Sequence, residues 1–220
     1  MSSNITQLKR ARTPEQKSDR RDTILVTAKT LFMDAGYEGF SMGLLSKRAG
    51  VAKGTLYLYF GTKEEVLLSL YSSEFERFCS ELTTGIPADM TDADFVSRIY
   101  ETSVSDPLFL VLHARLGTVI EQNISVDALI ASKRSMAKHF QMMVNNLSGP
   151  LALDYEQTLA ALTGISALLT GAYDGGTASI FETENIPEDV ASFIGHFDMK
   201  TRFEKNARYI LQGIRASGCK

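Results

Sequence analysis

Apolar residues recur every three or four positions along most of the chain, and this spacing predicts helices. No segment shows the strict alternation of apolar and polar residues that is typical of a half-buried strand. We therefore predict an all-α fold of about nine helices, three of them before residue 63. The later helices are expected at about 63–82, 94–102, 107–123, 126–144, 155–173 and 198–214, with an irregular segment from about 175 to 197.

The segment from Ser41 to Lys63 predicts two short helices joined by a sharp turn. Ser41 stands where its hydroxyl can cap a helix that runs to about residue 49. Gly50 then supplies the left-handed backbone geometry that ends a helix at little steric cost. Thr62 is expected to cap the following helix, with Glu65 completing a capping box. This order of elements is a helix-turn-helix that runs directly into a longer helix.

The second helix of this pair, at about 52–60, is predicted to have one buried side and one unusual exposed side. Leu56 and Phe60 are four residues apart and predict the inward side. The outward positions carry small, basic and aromatic side chains, namely Lys53, Gly54, Thr55, Tyr57 and Tyr59. Small or basic residues at a helix N-terminus let its unpaired N–H groups approach a phosphate or a base edge. We therefore predict that this helix reads DNA.

The residues from Gly50 to Glu64 follow the order G-V-x-K-G-x-L-Y-x-x-F-x-x-K-E, which resembles the TetR (tetracycline-repressor-like) family of transcriptional regulators. The resemblance implies a three-helix DNA-binding domain at 20–66, a larger effector-binding and dimerisation domain at 67–220, and a homodimer on a palindromic operator. It also implies that DNA is contacted by Ser41, Lys53, Gly54, Thr55, Tyr57, Tyr59 and Lys63. Tyr59 departs from the family pattern, because many relatives have histidine there.

Basic charge is concentrated in the N-terminal part of the chain. Residues 1–63 contain 11 Lys and Arg against 5 Asp and Glu, whereas residues 64–220 contain 12 against 21. The formal charges of the two parts are therefore +6 and −9, which together give the net charge of −3. A sequence pI near 5.7 does not argue against DNA binding, because phosphate neutralisation acts locally, within roughly 8 Å at physiological salt.

Residues 1–19 form a basic segment with little apolar content, and we expect a flexible arm here. Two interpretations of this arm stay open. In the first, it follows the minor groove or the adjacent phosphates of bound DNA. In the second, it is a solvated tail that makes no contact in the complex.

Several classes of protein are disfavoured by what the sequence lacks. No stretch approaches the roughly 20 apolar residues of a membrane span, and no secretory signal is visible, so we expect a cytoplasmic protein without a membrane partner. Cys79 and Cys219 are too few for a disulfide framework or a metal set, and the three histidines lack metal-ligand spacing. Without a phosphate-binding loop or a nucleophile elbow, we predict neither an enzyme nor a cofactor.

The segment from about 94 to 144 is rich in aliphatic and phenylalanine residues with scattered polar ones, a composition typical of small-molecule sites. We predict that an effector, whose identity the sequence does not give, contacts Phe109, His113, Leu116, Phe140 and Met143. The same spacing also fits an ordinary core in which these residues touch no ligand. Arg115 and His139 are expected at the surface.

Two later helices carry long apolar stripes. The first stripe consists of Leu159, Leu162, Ile165, Leu169 and Tyr173, and the second of Phe203, Ala207, Ile210, Leu211 and Ile214. The resemblance implies that these helices form a four-helix dimer interface. In the alternative, one stripe closes the core of a single chain.

These features together predict a repressor that a small, mostly apolar effector releases from its operator by shifting the helix that begins at Lys63. The alternative is a DNA-binding regulator or architectural protein without an effector, and activation instead of repression also stays open. An apolar cavity among the middle helices would favour the effector-responsive protein, whereas a fully packed middle region would favour the alternative.

Overall fold

The computed structural model describes residues 13–173, 187–195 and 198–217, with the side chains of 191 and 193–195 excepted. Within these ranges the fold is all-α, as predicted, and no strand occurs. Ten α-helices lie in the described residues: α1 (Pro14–Gly39), α2 (Met42–Arg48), α3 (Lys53–Tyr57), α4 (Lys63–Thr83), α5 (Asp92–Val104), α6 (Pro107–Arg115), α7 (Val126–Ser148), α8 (Tyr155–Ala172), α9 (Glu188–Gly195) and α10 (Met199–Ser217).

The chain divides by its internal contacts into two compact units. Unit 1 comprises residues 1–74 and 115–134, and unit 2 comprises residues 75–114 and 135–220. Helix α4 continues from unit 1 into unit 2, and α7 does the same. This grouping places residues 115–134 with the N-terminal helices. The single border at 66–67 suggested by the sequence places them in the larger C-terminal domain instead.

Helix α1 begins at Pro14, whereas the sequence suggested a flexible arm as far as residue 19. A capping box accounts for the earlier start: the Gln16 backbone N–H donates to Thr13 Oγ1 at 3.2 Å, and the Thr13 N–H donates to Gln16 Oε1 at 3.4 Å. Pro14 occupies the first turn, where its missing N–H costs nothing. Residues 14–19 therefore belong to a helix. Among the basic residues of the expected arm, Lys17 lies in α1, whereas Lys9, Arg10 and Arg12 lie outside the described residues.

Helix α6 ends at Arg115, well before the predicted end at about 123. The chain continues as a π-helical turn at Leu116–Ile120 and a 3₁₀ turn at Glu121–Asn123. A glycine and three β-branched residues at 117–120 have low helix propensity, which accounts for the break. The Asn123 side chain then satisfies a backbone carbonyl, because its Nδ2 donates to Val119 O at 2.8 Å.

Helix α9 lies in the segment that the sequence suggested to be irregular, so that prediction is wrong for residues 188–195. Glu188 and Asp189 stand in its first turn, where negative charge complements the helix dipole. Its eight residues are too few to give a clear helical periodicity. The first part of the predicted irregular segment, residues 175–186, lies outside the described residues.

Helices α8 and α10 pack against each other in unit 2. Their buried side chains include Leu162, Ile165 and Leu169 on α8 and Phe203, Ala207 and Leu211 on α10. At Gly164 an added Cβ would lie 3.4 Å from Ile210 Cγ2, which is an ordinary van der Waals contact, so Gly164 faces α10 without being required by the packing. Helix α8 begins with a capping box formed by Asp154 and Gln157.

Candidate DNA-binding surface and effector cavity

The turn of the helix-turn-helix in unit 1 has the geometry that the sequence predicts. Ser41 Oγ accepts a hydrogen bond from the Leu44 N–H at 3.3 Å and caps α2. Gly50 has a φ of +64°, in the left-handed region that favours glycine. Val51 follows it and is buried. A side-chain cap and a glycine turn therefore fix the path of the chain from α2 into α3.

Helix α3 is shorter than the predicted range of 52–60 and covers only Lys53–Tyr57. It ends in tight turns, because the Leu58 N–H donates to Thr55 O at 3.2 Å and the Tyr59 N–H donates to Leu56 O at 3.0 Å. Leu56 and Phe60 are almost fully buried, with 0% and 3% of their surface exposed. The predicted inward side is therefore confirmed, although the helix itself is only about one and a half turns long.

The outward side of α3 is open to solvent. Lys53 and Gly54 are exposed, Tyr57 is 46% exposed, and Thr55 and Tyr59 are half-buried. Ala52 stands at the N-cap position and offers no side-chain acceptor to the first N–H groups of the helix. This surface thus combines a positive charge, a residue without a side chain, hydroxyl groups and helical N–H groups that no capping side chain occupies.

Lys63, the first residue of α4, is held by Tyr37 of α1. Its Nζ lies 3.9 Å from the centre of the Tyr37 ring and donates to Tyr37 O at 3.3 Å. The Tyr37 hydroxyl donates to Glu64 Oε1 at 2.7 Å. Burial, followed by this hydrogen bond, raises the pKa of Tyr37 to about 12, so the hydroxyl remains a donor at neutral pH. The structure therefore gives Lys63 a fixed position rather than a free side chain.

Arg21 is a residue of this region whose part the sequence analysis missed. Its guanidinium lies over the Phe60 ring, 5.2 Å from the ring centre, and donates to Ser69 Oγ at 2.9 Å. It therefore connects α1 both to the buried anchor that follows α3 and to α4. A basic residue seen only as part of a positively charged segment gives no sequence signal for such a contact.

The start of α4 is capped and is also connected to the segment that follows α6, within unit 1. The Glu65 N–H donates to Thr62 Oγ1 at 3.1 Å, as predicted. The second bond differs from a standard capping box, because Glu65 Oε2 accepts from the N–H of Gly61, the residue before Thr62, at 2.7 Å. Thr62 Oγ1 donates to Asn123 O at 3.2 Å, and Ser125 Oγ donates to Glu65 Oε1 at 3.0 Å. Two hydrogen bonds thus join the beginning of α4 to residues 123–125.

Unit 2 contains a cavity that the predicted effector residues line in part. Its wall consists of Phe75, Phe78, Ile99, Phe109, His113, Phe140, Met143, Leu162, Ile165, Ser166 and Leu169. Four of the five predicted residues are among them. Leu116 is not, because α6 ends one residue earlier and Leu116 belongs to the π-helical turn that is grouped with unit 1. The lining residues that α4, α5 and α8 contribute were not predicted from the sequence.

The cavity is small and almost wholly apolar. Nine of its eleven lining side chains are apolar, and the other two are His113 and Ser166. The cavity volume is about 40 Å³. A water needs about 10–15 Å³, so the cavity has room for about three waters by size. A larger guest requires side chains of the wall to rotate.

Three stacked rings form one side of the cavity. The Phe78 and Phe109 rings are nearly parallel, with centres 4.7 Å apart, and His113 stacks on Phe109 at 5.4 Å. His113 Nε2 lies 3.4 Å from Ser166 Oγ. Burial lowers the pKa of His113 below its ordinary 6.5, and a hydrogen bond with the Ser166 backbone opposes this effect only in part. The imidazole is therefore neutral at pH 7.

Other reactive side chains of the described residues stand apart from the cavity wall. His139 lies 3.9 Å from Glu76 at the surface, as predicted. Cys79 is buried, and burial raises the pKa of its thiol to about 12, so Cys79 is a small and unreactive residue of the core. In the described part of the chain no group of histidine, cysteine and acidic residues could hold a metal ion, and no helix is long and apolar enough to cross a membrane. Cys219 lies outside the described residues.

The apolar stripes of α8 and α10 are largely used inside the chain. Leu162, Ile165 and Leu169 line the cavity, which agrees with the alternative that a stripe closes the core. The opposite side of α8 is exposed and carries small residues, namely Ala160, Thr163, Ala167, Thr170 and Gly171. On α10, Tyr209 is 57% exposed, and Gly213 is exposed one turn further on. The exposed positions of α10 also include Lys205, Asn206, Arg208 and Gln212. The dimer interface formed by these two helices stays a prediction.

Two family models match the chain. The model described as "Bacterial regulatory proteins, tetR family" matches residues 24–70, which contain the helix-turn-helix. The model described as "Tetracyclin repressor-like, C-terminal domain" matches residues 72–218, which is more than half of the chain.

Curated relatives match over shorter stretches. The fatty acid metabolism regulator protein of Bacillus subtilis is 32% identical over 77 residues, which are 35% of this chain and 40% of the relative. The HTH-type transcriptional repressor KstR of Rhodococcus jostii is 42% identical over 64 residues, which are 29% of this chain and 30% of the relative. The chain thus spans less than half the length of these two relatives.

Solved structures are similar over most of the chain. The fatty acid degradation regulator FadR from Bacillus halodurans has a TM-score of 0.54 at 16% identity, covering 94% of this chain and 99% of that one. FadR from Bacillus subtilis, solved in complex with stearoyl-CoA, has a TM-score of 0.53 at 16% identity, covering 87% and 98%. At such identities the likeness shows a shared fold alone. The matched families consist of regulators rather than enzymes, and the chain belongs to the TetR family of transcriptional regulators.

Proposed function

We propose that the chain is a repressor. Two copies hold their α3 helices against a palindromic operator, and a small, mostly apolar effector bound in the unit 2 cavity releases the DNA. The single observation that carries the DNA-binding part is Gly54, a glycine inside α3 for which the fold itself gives no reason.

Glycine in a helix costs roughly 0.5–1 kcal/mol relative to alanine. At Gly54 an added Cβ would meet no described atom within 4 Å, and the residue does not have a positive φ. Neither packing within the chain nor backbone geometry therefore requires glycine. Close approach of a DNA phosphate to the exposed start of α3 does require glycine, because a side chain at this position would hold the DNA backbone away.

The side chains around Gly54 are proposed to make the other contacts with DNA. Lys53 neutralises a phosphate, and the hydroxyl of Tyr57 bonds to the DNA backbone or to a base edge. Lys63 contacts a phosphate from the position in which Tyr37 holds it. The same surface is completed by Ser41, Thr55 and Tyr59.

The proposal requires two copies of the chain. A helix of five residues reaches few base pairs, whereas two copies related by a two-fold axis read successive major grooves about 34 Å apart. We place the interface on the exposed sides of α8 and α10, where the small residues of α8 allow close packing and Tyr209 supplies a large contact surface. A chain that stays monomeric at micromolar concentration contradicts this part.

The cavity favours an effector-responsive regulator over a DNA-binding protein that takes no effector. A cavity in an apolar core lowers stability, because the side chains of its wall lose packing contacts, so its presence in unit 2 favours a role in ligand binding. The ligand that fits the wall is mainly apolar. The solved FadR of Bacillus subtilis is in complex with stearoyl-CoA, whose acyl chain is apolar although its CoA part is not.

Release acts through α4, which begins at Lys63 and carries Phe75 and Phe78 of the cavity wall. Moving such a switch from almost wholly bound to almost wholly released needs about 5.5 kcal/mol of differential effector affinity. Burial of apolar surface yields roughly 25 cal/mol per Å², so about 220 Å² buried only in the released form is sufficient. An effector of modest size can supply this.

The test uses Gly54→Ala and an operator fragment selected from genomic DNA with the purified protein. We expect the free energy of unfolding to stay constant or to rise by up to about 1 kcal/mol, since alanine favours the helix. Operator affinity should fall at least about tenfold, which corresponds to about 1.4 kcal/mol. Gly149→Ala is the matched control, because Gly149 is also exposed and an added Cβ there also meets no described atom within 4 Å.

A second variant tests the charge of α3. Lys53→Ala should lower the slope of binding against salt concentration by about 1, as expected for one lost phosphate contact. Lys138→Ala removes the same charge from an exposed position of α7 in unit 2 and should leave the slope unchanged. Undiminished operator affinity in folded Gly54→Ala, together with an unchanged slope in Lys53→Ala, would refute the proposed DNA surface.

A further inference from the structure

We propose that His113 and Ser166 form a hydrogen-bonding subsite that selects an effector with one uncharged hydroxyl or carbonyl oxygen on an otherwise apolar body. The inference rests on the proposed function, because it names the chemical class that the same cavity takes. It concerns a specificity that the apolar character of the wall alone does not give.

The two polar groups come from different helices and meet at the cavity. His113 belongs to α6 and Ser166 to α8, and the distance of 3.4 Å between Nε2 and Oγ is at the long end for a hydrogen bond. A contact of this length is weak, so a ligand oxygen can join it at little cost. A ligand hydroxyl both donates and accepts, and a ligand carbonyl accepts from the serine hydroxyl or from the N–H of the neutral imidazole.

The histidine ring is held in place by its neighbours. It stacks on Phe109 with an angle of 18° between the ring planes, and Phe109 in turn stacks on Phe78 at 6°. Such packing fixes the plane of the imidazole and leaves its Nε2 edge beside Ser166. The polar group of a ligand is therefore offered one direction of approach, which is how a few placed polar groups orient a ligand in an apolar pocket.

The subsite suits a neutral group and not an anion. In the part of the chain that the structure describes, the cavity wall includes no lysine, arginine, aspartate or glutamate. Burial lowers the pKa of His113, so the imidazole does not supply a positive charge at pH 7. A carboxylate bound here would lose its water without gaining a cation, whereas a hydroxyl or carbonyl loses far less.

Three probes of nearly equal shape separate these possibilities: naphthalene, 2-naphthol and 2-naphthoate. They share one apolar body and carry no polar group, a neutral hydroxyl and an anion, respectively. Isothermal titration calorimetry on the full chain at pH 7.5 gives the dissociation constant of each. In the parent protein we expect 2-naphthol to bind roughly 3- to 10-fold more tightly than naphthalene, as one net hydrogen bond allows. We expect 2-naphthoate to bind at least about tenfold more weakly than 2-naphthol, because a buried anion without a partner is disfavoured.

Two variants locate the preference. Ser166→Ala removes one hydroxyl, and His113→Phe retains a ring that can stack on Phe109 while removing the nitrogen atoms. In both, the ratio of the naphthalene to the 2-naphthol dissociation constants should fall to near one. Ser80→Ala is the matched control, because Ser80 is an exposed serine of α4, a helix that also lines the cavity, and the parental ratio should persist. If His113→Phe does not fold, Ser166→Ala decides the question.

The outcomes separate the inference from the proposed function. If all three probes bind equally well, if 2-naphthoate binds most tightly, or if Ser166→Ala retains the parental ratio, the subsite is refuted while the cavity remains an effector site. If none of the probes binds to the parent protein, the cavity does not take apolar ligands. In that case the effector part of the proposed function fails, and the subsite fails with it.

Discussion

Replacing Phe109 by alanine would remove the middle ring of the three-ring stack. Phe109 is 1% exposed and lies between Phe78 and His113, with ring centres 4.7 and 5.4 Å away. Truncating a buried phenylalanine to alanine costs about 3–5 kcal/mol. Because the stacking contacts on both sides are lost as well, we expect about 4 kcal/mol. Domains of this size have roughly 5–15 kcal/mol of stability in total, so the variant should fold but be much less stable.

The missing ring should also enlarge a space that already exists. The hole left by Phe109 joins the cavity, so it can accept a two-ring hydrocarbon as one continuous volume. Naphthalene at about 100 times its dissociation constant should then restore about 2.7 kcal/mol. Phe203→Ala is the control, because Phe203 is 0% exposed but does not line the cavity. It should lose similar stability and gain little from naphthalene.

Urea unfolding followed by circular dichroism measures both effects, with and without the hydrocarbon. A loss below about 1 kcal/mol in Phe109→Ala would mean that the ring is not part of a packed wall. Equal recovery of Phe109→Ala and Phe203→Ala in naphthalene would mean that the recovery does not depend on this cavity. Either result refutes the claim that the Phe109 ring is a packed part of the cavity wall and that its removal enlarges the cavity.

Two further predictions follow from single residues. The free energy of unfolding should fall as the pH is lowered from about 7 to about 5.5, because the pKa of His113 is lower in the folded chain than in the unfolded chain, which therefore binds the proton more readily. His113 contributes at most about 1.4 kcal/mol per pH unit to the slope of the unfolding free energy against pH, and urea unfolding of His113→Phe should lack this contribution. Equal slopes in both proteins would contradict the lowered pKa of His113. Gly50→Ala should lower stability by about 1–2 kcal/mol, because alanine is strained at a φ of +64° even though an added Cβ would meet no described atom within 4 Å. Gly43→Ala, in the regular part of α2, should instead raise thermal stability slightly, so a loss in both variants would point to a cause other than the backbone angle.

The helix-turn-helix could be predicted from the sequence because its signals act over a few residues. The cap at Ser41, the left-handed glycine at 50 and the buried pair of Leu56 and Phe60 all have the predicted geometry. The early end of α3 could not be predicted in this way. Its last turns are closed by i to i+3 hydrogen bonds, for which the apolar spacing gives no signal.

The cavity could be predicted only in part, for a related reason. Periodicity identifies which side of a helix is buried but not which other helix it meets. Phe109 and His113 were found because they lie in an apolar segment with few polar residues, whereas Phe75 and Ser166 come from helices to which the sequence suggested other roles. Leu116 was expected in the wall because the end of α6 was placed too late. Assembly of a pocket from separate helices is a property of the tertiary fold.

Helix α4 limits how an effector can act. Phe75 lies twelve residues after Lys63, which is about 18 Å along a helix at 1.5 Å per residue. If an effector displaces Phe78 only by rotating its side chain, α4 stays in place and the contact of Lys63 with Tyr37 is undisturbed. If α4 itself shifts, its first turn must move as well, and the hydrogen bond from Ser125 to Glu65 has to break or follow. Only the second kind of displacement transmits occupancy of the cavity toward α3, so ligands that fill the space without moving α4 should bind without releasing DNA.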